Sequence, residues 1–331
     1  MNQYPIIPLE KARNKRYQEN WKEYNTKKPK LLGNKVFINY PLNELVEYID
    51  WTPFFHGWGL KGKYPQIFDK ERVGKEAIRL FEEANEMLNL IIKENLTFAK
   101  GIIGIFPANT SGDDIIIYED ESRNKEKMMI PMLRQQMQRK NHHFLALSDF
   151  IIPEECDKKD YIGMFAVSTG FNAQVYLDKL NKEKDSYNAV MFRLLLDRLT
   201  EAFAEKLHEG VRKEYWGYQS EENLSNEELI SENYVGIRPA PGYPACPDHS
   251  LKTYIFDLLE VEKNIGIKLS KSYVMNPVSS ITGFYIAHPA SEYFGIGKIN
   301  KDQVEDYSRR KKQDSEEIEK LLHTNIAYNT N

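Results

Sequence analysis

The chain has 331 residues, with 45 Lys and Arg against 49 Asp and Glu, a formal net charge of -4, 41% hydrophobic residues and 28% charged ones. That balance excludes a polycation working on nucleic-acid phosphates, which needs a concentrated basic surplus. No segment reaches the roughly 18 consecutive apolar residues of a membrane span. Two cysteines, Cys156 and Cys246, build neither a disulfide framework nor a Cys-rich zinc site, and the apolar stub at the N-terminus is too short for a secretory signal, so the expected compartment is the cytoplasm. Composition leaves open the use of 20 Tyr, 16 Phe and 4 Trp, either as core or as the lining of a site for a large flat ligand.

Residues 9–30 are charged, with Leu9, Ala12, Tyr17, Trp21 and Tyr24 scattered through them, which suggests a solvated helix or a wrapped arm. Leu42, Leu45, Val46 and Ile49 follow Pro41 at helical spacing. From Glu71 to Ile92 apolar residues recur every three or four positions, predicting an amphipathic helix of about six turns. Residues 101–107 and 114–118 predict strands separated by a loop at 109–113, and 144–152 and 161–167 are further apolar runs bounded by Pro and Gly. A long helix is expected from Tyr187 to Trp216, then a capping box at Ser225–Glu228, a helix over 249–261, strands at 281–287 and 293–299, and two terminal helices from Asn300 and Asp314. Strands and helices mix without strict alternation and no Gly/Ser linker divides the chain, which favours one large α+β domain.

Gly57, Gly59 and Gly62 spell G-x-G-x-x-G, but a helical pattern precedes them and Lys63-Tyr-Pro65 follows, whereas a dinucleotide loop needs a strand before and a helix after. Cys246 and His249 have metal-type spacing without a second pair, and the pair at His142 and His143 adds none, so no metal site is expected. No partner signals a nucleophilic cysteine or any other catalytic group.

Arg238-Pro-Ala-Pro-Gly-Tyr-Pro-Ala-Cys-Pro-Asp-His249 is the most informative stretch. Its four prolines hold the backbone extended and unable to pair with itself as a helix. Such backbone can bond the edge of a planar ligand, with Gly242 allowing close approach and Arg238 offering a fork for a carboxylate. It serves equally as a rigid surface crossover carrying a structural arginine. Asp50, within the aromatic run Tyr48–Phe55, is open to two readings, a helix cap within a core cluster or the holder of a ligand cation beside π faces. Glu201 falls on the long helix beside Ala202 and Phe203, where burial would call for a partner.

Taken together, YIDWTPFF with its following KYP, GIIGIFPAN with GDDI, DYIGMFAV, LTEAFAEKLHEGVRKEYWGY, ENLSNEELISENYVGIRPAPGYPACPDH and DQVEDYSRRK resemble the C-terminal activation domain of cobalamin-dependent methionine synthase, over residues 40–328. The resemblance implies an α+β fold with a twisted, mostly antiparallel sheet flanked by long helices, residues 36–331 forming the domain and 1–35 an arm or interdomain linker. It implies a methyltransferase component that binds S-adenosylmethionine (AdoMet) and supports methyl transfer to cobalamin on a partner domain, with a flavodoxin-type donor reducing that cobalamin. By motif, Asp50 would bind the AdoMet amino group and Arg238 its carboxylate. Backbone at Arg238, Pro239, Ala240 and Gly242 would hold the adenine, with Tyr243, Tyr293 and Phe294 beside it, and Glu201 and Glu232 fall on acidic positions of the family pattern. The lower-axial Asp-x-His-x-x-Gly signature and a zinc-binding Cys pair are absent, so this chain alone is not expected to make methionine. A non-catalytic AdoMet sensor or docking module is the alternative.

Overall fold

The computed structural model describes residues 4–138 and 143–329, so His142 lies outside the described residues. In chain order the strands are β1 (Gly33–Tyr40), β2 (Phe98–Ser111), β3 (Asp114–Tyr118), β4 (Glu126–Pro131), β5 (Asp160–Phe171), β6 (Lys268–Leu269), β7 (Met275–Asn276) and β8 (Ser280–Tyr285). The helices are α1 (Leu9–Arg13), α2 (Thr52–Gly57), α3 (Gly74–Lys93), α4 (Ala173–Lys182), α5 (Ser186–Gly210), α6 (Asn226–Ile230), α7 (Lys252–Leu259), α8 (Val261–Ile265), α9 (Lys301–Lys311) and α10 (Ser315–Leu321). Six strands form one antiparallel sheet in the order β4-β3-β2-β5-β8, with β1 sharing the β3 edge of the long strand β2. This is the α+β architecture expected from the sequence.

The unbroken apolar runs in β2 and β5 arise because the sheet is covered on both faces. Ile103, Ile105, Phe165, Val167 and Tyr285 point to one core with α3 and α5. Their neighbours Ile102, Phe106, Met164, Ala166 and Phe284 point to the other, with α7 and α8. A third, smaller cluster gathers Val304 and Tyr307 of α9, Ile318 of α10 and Leu322 just beyond it.

Several expectations are corrected. The Pro41–Ile49 segment forms two short 3-10 turns, held by bonds such as Leu45 N–H to the Leu42 carbonyl at 3.0 Å. The eleven residues between β1 and α2 are too few to repay α-helix nucleation. Residues 109–111 continue β2 instead of forming a loop, because the Asn109 amide donates to the carbonyls of Ile152 and Lys158, both at 2.9 Å. Residues 293–299 are not a strand: Ile296 N–H bonds the Pro244 carbonyl at 2.8 Å and Gln135 Nε2 bonds the Gly295 carbonyl at 2.7 Å, so loops and side chains take the place of a neighbouring strand. The aromatic run is core, with Trp51, Phe54 and Phe55 all buried. Strands β1 and β4 and helix α4 were not anticipated. Gly57 closes α2, so no strand enters the G-x-G-x-x-G segment.

The arm carries only one short helix, α1, and threads across the domain. Ile7 N–H reaches the Gln136 carbonyl at 3.0 Å, Arg13 bridges Asp113 and Asp306 at 2.8 and 2.7 Å, and Trp216 Nε1 donates to the Lys27 carbonyl at 2.8 Å. Asp113 is shared with the fully buried Arg134, which also grips both Asp149 oxygens at 2.7 Å. Removing a buried guanidinium leaves its carboxylates uncompensated. Arg134→Met is therefore expected to lower unfolding free energy by about 3–5 kcal/mol in urea titrations at neutral pH; a loss well under 1 kcal/mol would contradict this role for the cluster.

Asp160, at the start of β5, is buried and accepts from the Ile152 and Tyr161 N–H groups at 2.9 and 2.8 Å. Burial raises its pKa to about 7. Between the unfolded carboxylate value of about 3.9 and that figure, the folded state holds a proton that the unfolded state has released. Its contribution to stability is thus fully present below the unfolded value and declines as pH rises toward the folded one, by up to about 1.4 kcal/mol per pH unit. Asp160→Asn should remove that slope, so the wild-type-minus-variant difference in unfolding free energy shrinks from pH 4 to pH 7. Parallel pH profiles would show that Asp160 titrates alike in both states.

Candidate functional site

The proline-rich stretch begins as an extension of the sheet. Ile237 and Ile286 exchange both backbone hydrogen bonds, at 2.9 and 3.0 Å, and Phe284 N–H then donates to the Pro239 carbonyl at 2.9 Å. Pro239 has no N–H to return, so the ladder ends there. A side chain at Gly283 would put its Cβ 2.8 Å from the Pro239 oxygen, so the close approach of the two backbones requires glycine. Beyond this point the chain folds into tight turns, with Tyr243 N–H on the Ala240 carbonyl at 3.1 Å and Gly242 N–H on the Cys246 carbonyl at 2.7 Å. Gly242 has φ +101°, and a Cβ there would fall 2.1 Å from the His249 ring. His249 therefore packs beneath the turn, and the Cys246 thiol is buried, which pushes its pKa up.

These turns form one wall of a cavity of about 600 Å³, a volume suited to a small ligand. Arg238, Pro239, Ala240 and Tyr243 line it from the turns, Glu201 from α5, Glu232 from the loop after α6, and Tyr293 and Phe294 from the segment after β8. Eight of the ten residues singled out in the sequence thus meet in one cavity. Gly242 shapes the turn without lining it. Asp50 is placed elsewhere: its Oδ1 accepts from Thr52 N–H at 2.9 Å at the start of α2, and it is absent from the cavity wall. Its segment nonetheless crosses α5 between Tyr48, whose hydroxyl donates to Glu209 at 2.6 Å, and Gly57, which lies against Leu194. That crossing runs past the part of α5 that bears Glu201.

Arg238 is anchored at one end. Its Nη1 donates to Glu205 Oε2 at 2.5 Å and to the Tyr234 hydroxyl at 3.0 Å, and its backbone N–H donates to the Tyr293 hydroxyl at 3.0 Å. About 19% of its side chain remains exposed. Burial works against its charge, but Glu205 foremost, with Tyr234 and Tyr293, keeps its pKa above the ordinary arginine value. Burial raises the Glu232 pKa, with Arg238 opposing, and raises that of Tyr243, with Glu201 adding to the shift. The wall therefore offers one fixed cation, two acidic groups, the rings of Tyr243, Tyr293 and Phe294, and proline-rich backbone. That set matches a ligand carrying a carboxylate, a positive charge and a flat ring system.

Sequence reasoning missed Glu205 and Tyr234. Each had a faint signal in its spacing: Glu205 lies one helical turn past Glu201 on α5, and Tyr234 four residues before Arg238. The described residues contain no cluster of three or more metal-type side chains and no helix long and apolar enough to cross a membrane.

Residues 41–312 match the family described as vitamin B12 dependent methionine synthase, activation domain. A crystal structure of the MetH reactivation domain bound to AdoHcy aligns at a TM-score of 0.95 and 48% sequence identity, covering 98% of this chain and 100% of that one. From this match over most of its length, the chain belongs to the activation-domain family of vitamin B12-dependent methionine synthase.

Proposed function

We propose that this domain binds AdoMet in the Arg238 cavity and presents its methyl group to cobalamin held on a partner domain. The observation that carries this reading is the convergence of Arg238, Glu201, Glu232, Tyr243, Tyr293 and Phe294 from separate chain segments on one cavity. The related reactivation domain was crystallised with AdoHcy, the compound left when AdoMet gives up its methyl group, which supports the same class of ligand here.

The residues divide the work by charge. The unfilled part of the Arg238 fork takes the ligand carboxylate, and Asp50, which does not line the cavity, takes the amino group by the family pattern. Glu201 and Glu232 favour the sulfonium end electrostatically, the rings of Tyr243 and Tyr293 pack on flat surface, and backbone from Pro239 to Gly242 bonds the adenine edge. Cobalamin held on the partner domain and kept reduced by a flavodoxin-type donor would supply the nucleophile for the methyl group, with AdoHcy as the leaving group. An in-line displacement at a sulfonium methyl needs no general acid or base, so the protein contributes position and exclusion of misaligned poses. The contacts of residues 4–32 with α9 and the β2–β3 turn support an arm that belongs to the domain's packing.

Asp50→Asn and Arg238→Ala are each expected to weaken AdoMet binding by about 1.5–3 kcal/mol, the scale of hydrogen bonds to charged groups; unchanged affinity by calorimetry in either variant would refute that residue's role. In a single-turnover experiment with AdoMet and a cobalamin domain in the cob(I) state, this chain should accelerate methylcobalamin formation, followed by absorbance. AdoMet binding without any acceleration would leave a sensing or docking module.

A further inference from the structure

Behind the cavity wall lies a buried polar layer to which the sequence reading assigned no role. Arg212 is fully buried and grips Glu222, with Nε 2.7 Å from Oε2 and Nη2 2.8 Å from Oε1. Its guanidinium also covers the Tyr234 ring at 4.4 Å. Its remaining Nη1 stands 3.7 Å from Glu205 Oε1, and neither atom has a hydrogen-bond partner among the described residues. His208 lies in the same layer, stacked on Tyr285 with centroids 5.2 Å apart and edge-on to Tyr234 at 4.8 Å. Burial, with Arg212 and Arg238 nearby, keeps its pKa well below the usual histidine value, so it adds no charge. Two guanidiniums are thus balanced by two carboxylates, and Glu205 is the carboxylate that both share.

This layer has a geometric consequence for Arg238. Glu205 and Tyr234 occupy Nη1, while Nε and Nη2 make no hydrogen bond among the described residues. A guanidinium held in this way presents its Nε–Nη2 edge, one of the two edges that bind a carboxylate through parallel hydrogen bonds. Without Glu205, Glu201 and Glu232, which line the same cavity and interact with the Arg238 charge, are available to it instead. Being part of the same chain, they compete at a high effective concentration. An Arg238–Glu232 or Arg238–Glu201 pair would consume the edge that a ligand needs.

We infer that Glu205 is a positioning residue, which pins Arg238 by one nitrogen so that its Nε–Nη2 edge stays directed at the carboxylate of the ligand. The inference rests on the AdoMet-site reading above. Its test is the ratio of two dissociation constants, for AdoMet and for decarboxylated AdoMet, measured by calorimetry on wild type, Glu205→Gln and Arg238→Ala. Glu205→Gln keeps the side chain's size and an acceptor oxygen, and its thermal melt is recorded alongside. The expected result is a drop of at least about fivefold in the preference for AdoMet, with affinity for the decarboxylated ligand little changed. Adding Glu232→Gln to that variant should restore part of the preference. A merely structural role would weaken both ligands alike, and that outcome, or an unchanged or raised preference, overturns the inference while leaving the site reading intact provided Arg238→Ala abolishes the preference. If Arg238→Ala leaves the preference unchanged, the carboxylate does not bind Arg238, and the site reading falls together with the inference.

Discussion

The site depends on a three-residue continuation of the sheet. Where Ile237 and Pro239 pair with Ile286 and Phe284, the chain is fixed by three backbone hydrogen bonds to a strand buried on both faces. Arg238 lies between these pairs, and its own N–H is directed to the Tyr293 hydroxyl. Proline at 239 both ends the ladder and starts the turns that line the cavity, so one residue sets where rigid sheet gives way to ligand-facing loop. The same junction requires Gly283 on the neighbouring strand. A side chain there would push the stretch off the sheet and take Arg238 with it.

Elsewhere the fold pairs several buried charges locally. Arg134 is neutralised by Asp113 and Asp149, Lys311 by Asp248, and Arg212 by Glu222. Such pairs add little net stability against well-packed apolar groups, but each is costly to break from one side. Arg238 differs from them because it is anchored at only one nitrogen and keeps an exposed portion in a cavity that also contains carboxylates. On the proposed reading, that unused edge beside an open cavity is what a ligand carboxylate would take.

The legibility of the sequence follows from the same physics. Helices α3 and α5 were visible because one apolar face repeats over many turns, and the central strands because burial on both faces makes unbroken apolar runs. Strand β1 was missed because its alternation is shallow, with Val36 and Ile38 exposed on the outer face, and α4 because it offers the core little beyond Ala173, Leu177 and Leu180. The terminal segment 293–299 has strand-like composition yet finds loops and side chains as partners, which no local pattern encodes. Arg238, Tyr243, Tyr293 and Phe294 were found through a family motif, and composition alone left the proline stretch open to two readings. Glu205 was not found at all, because a carboxylate one turn from another on a long helix looks like an ordinary solvated face until the partner that buries it is known.

Exposure at the cavity rim gives a last step. Tyr243 is 55% exposed and Tyr293 38%, although both line the cavity, whereas Trp51, Phe54 and Phe55 are buried in the core. Aromatic rings left open beside a cavity gain most when a second surface covers them. On the proposed reading that surface is the cobalamin domain, and the openness is a requirement: a cavity closed by its own chain could bind AdoMet but could not expose the methyl group to a nucleophile on another domain. On that reading Arg238 and the layer behind it would hold the carboxylate end of the ligand, and the exposed rim would leave the reacting end open to the partner.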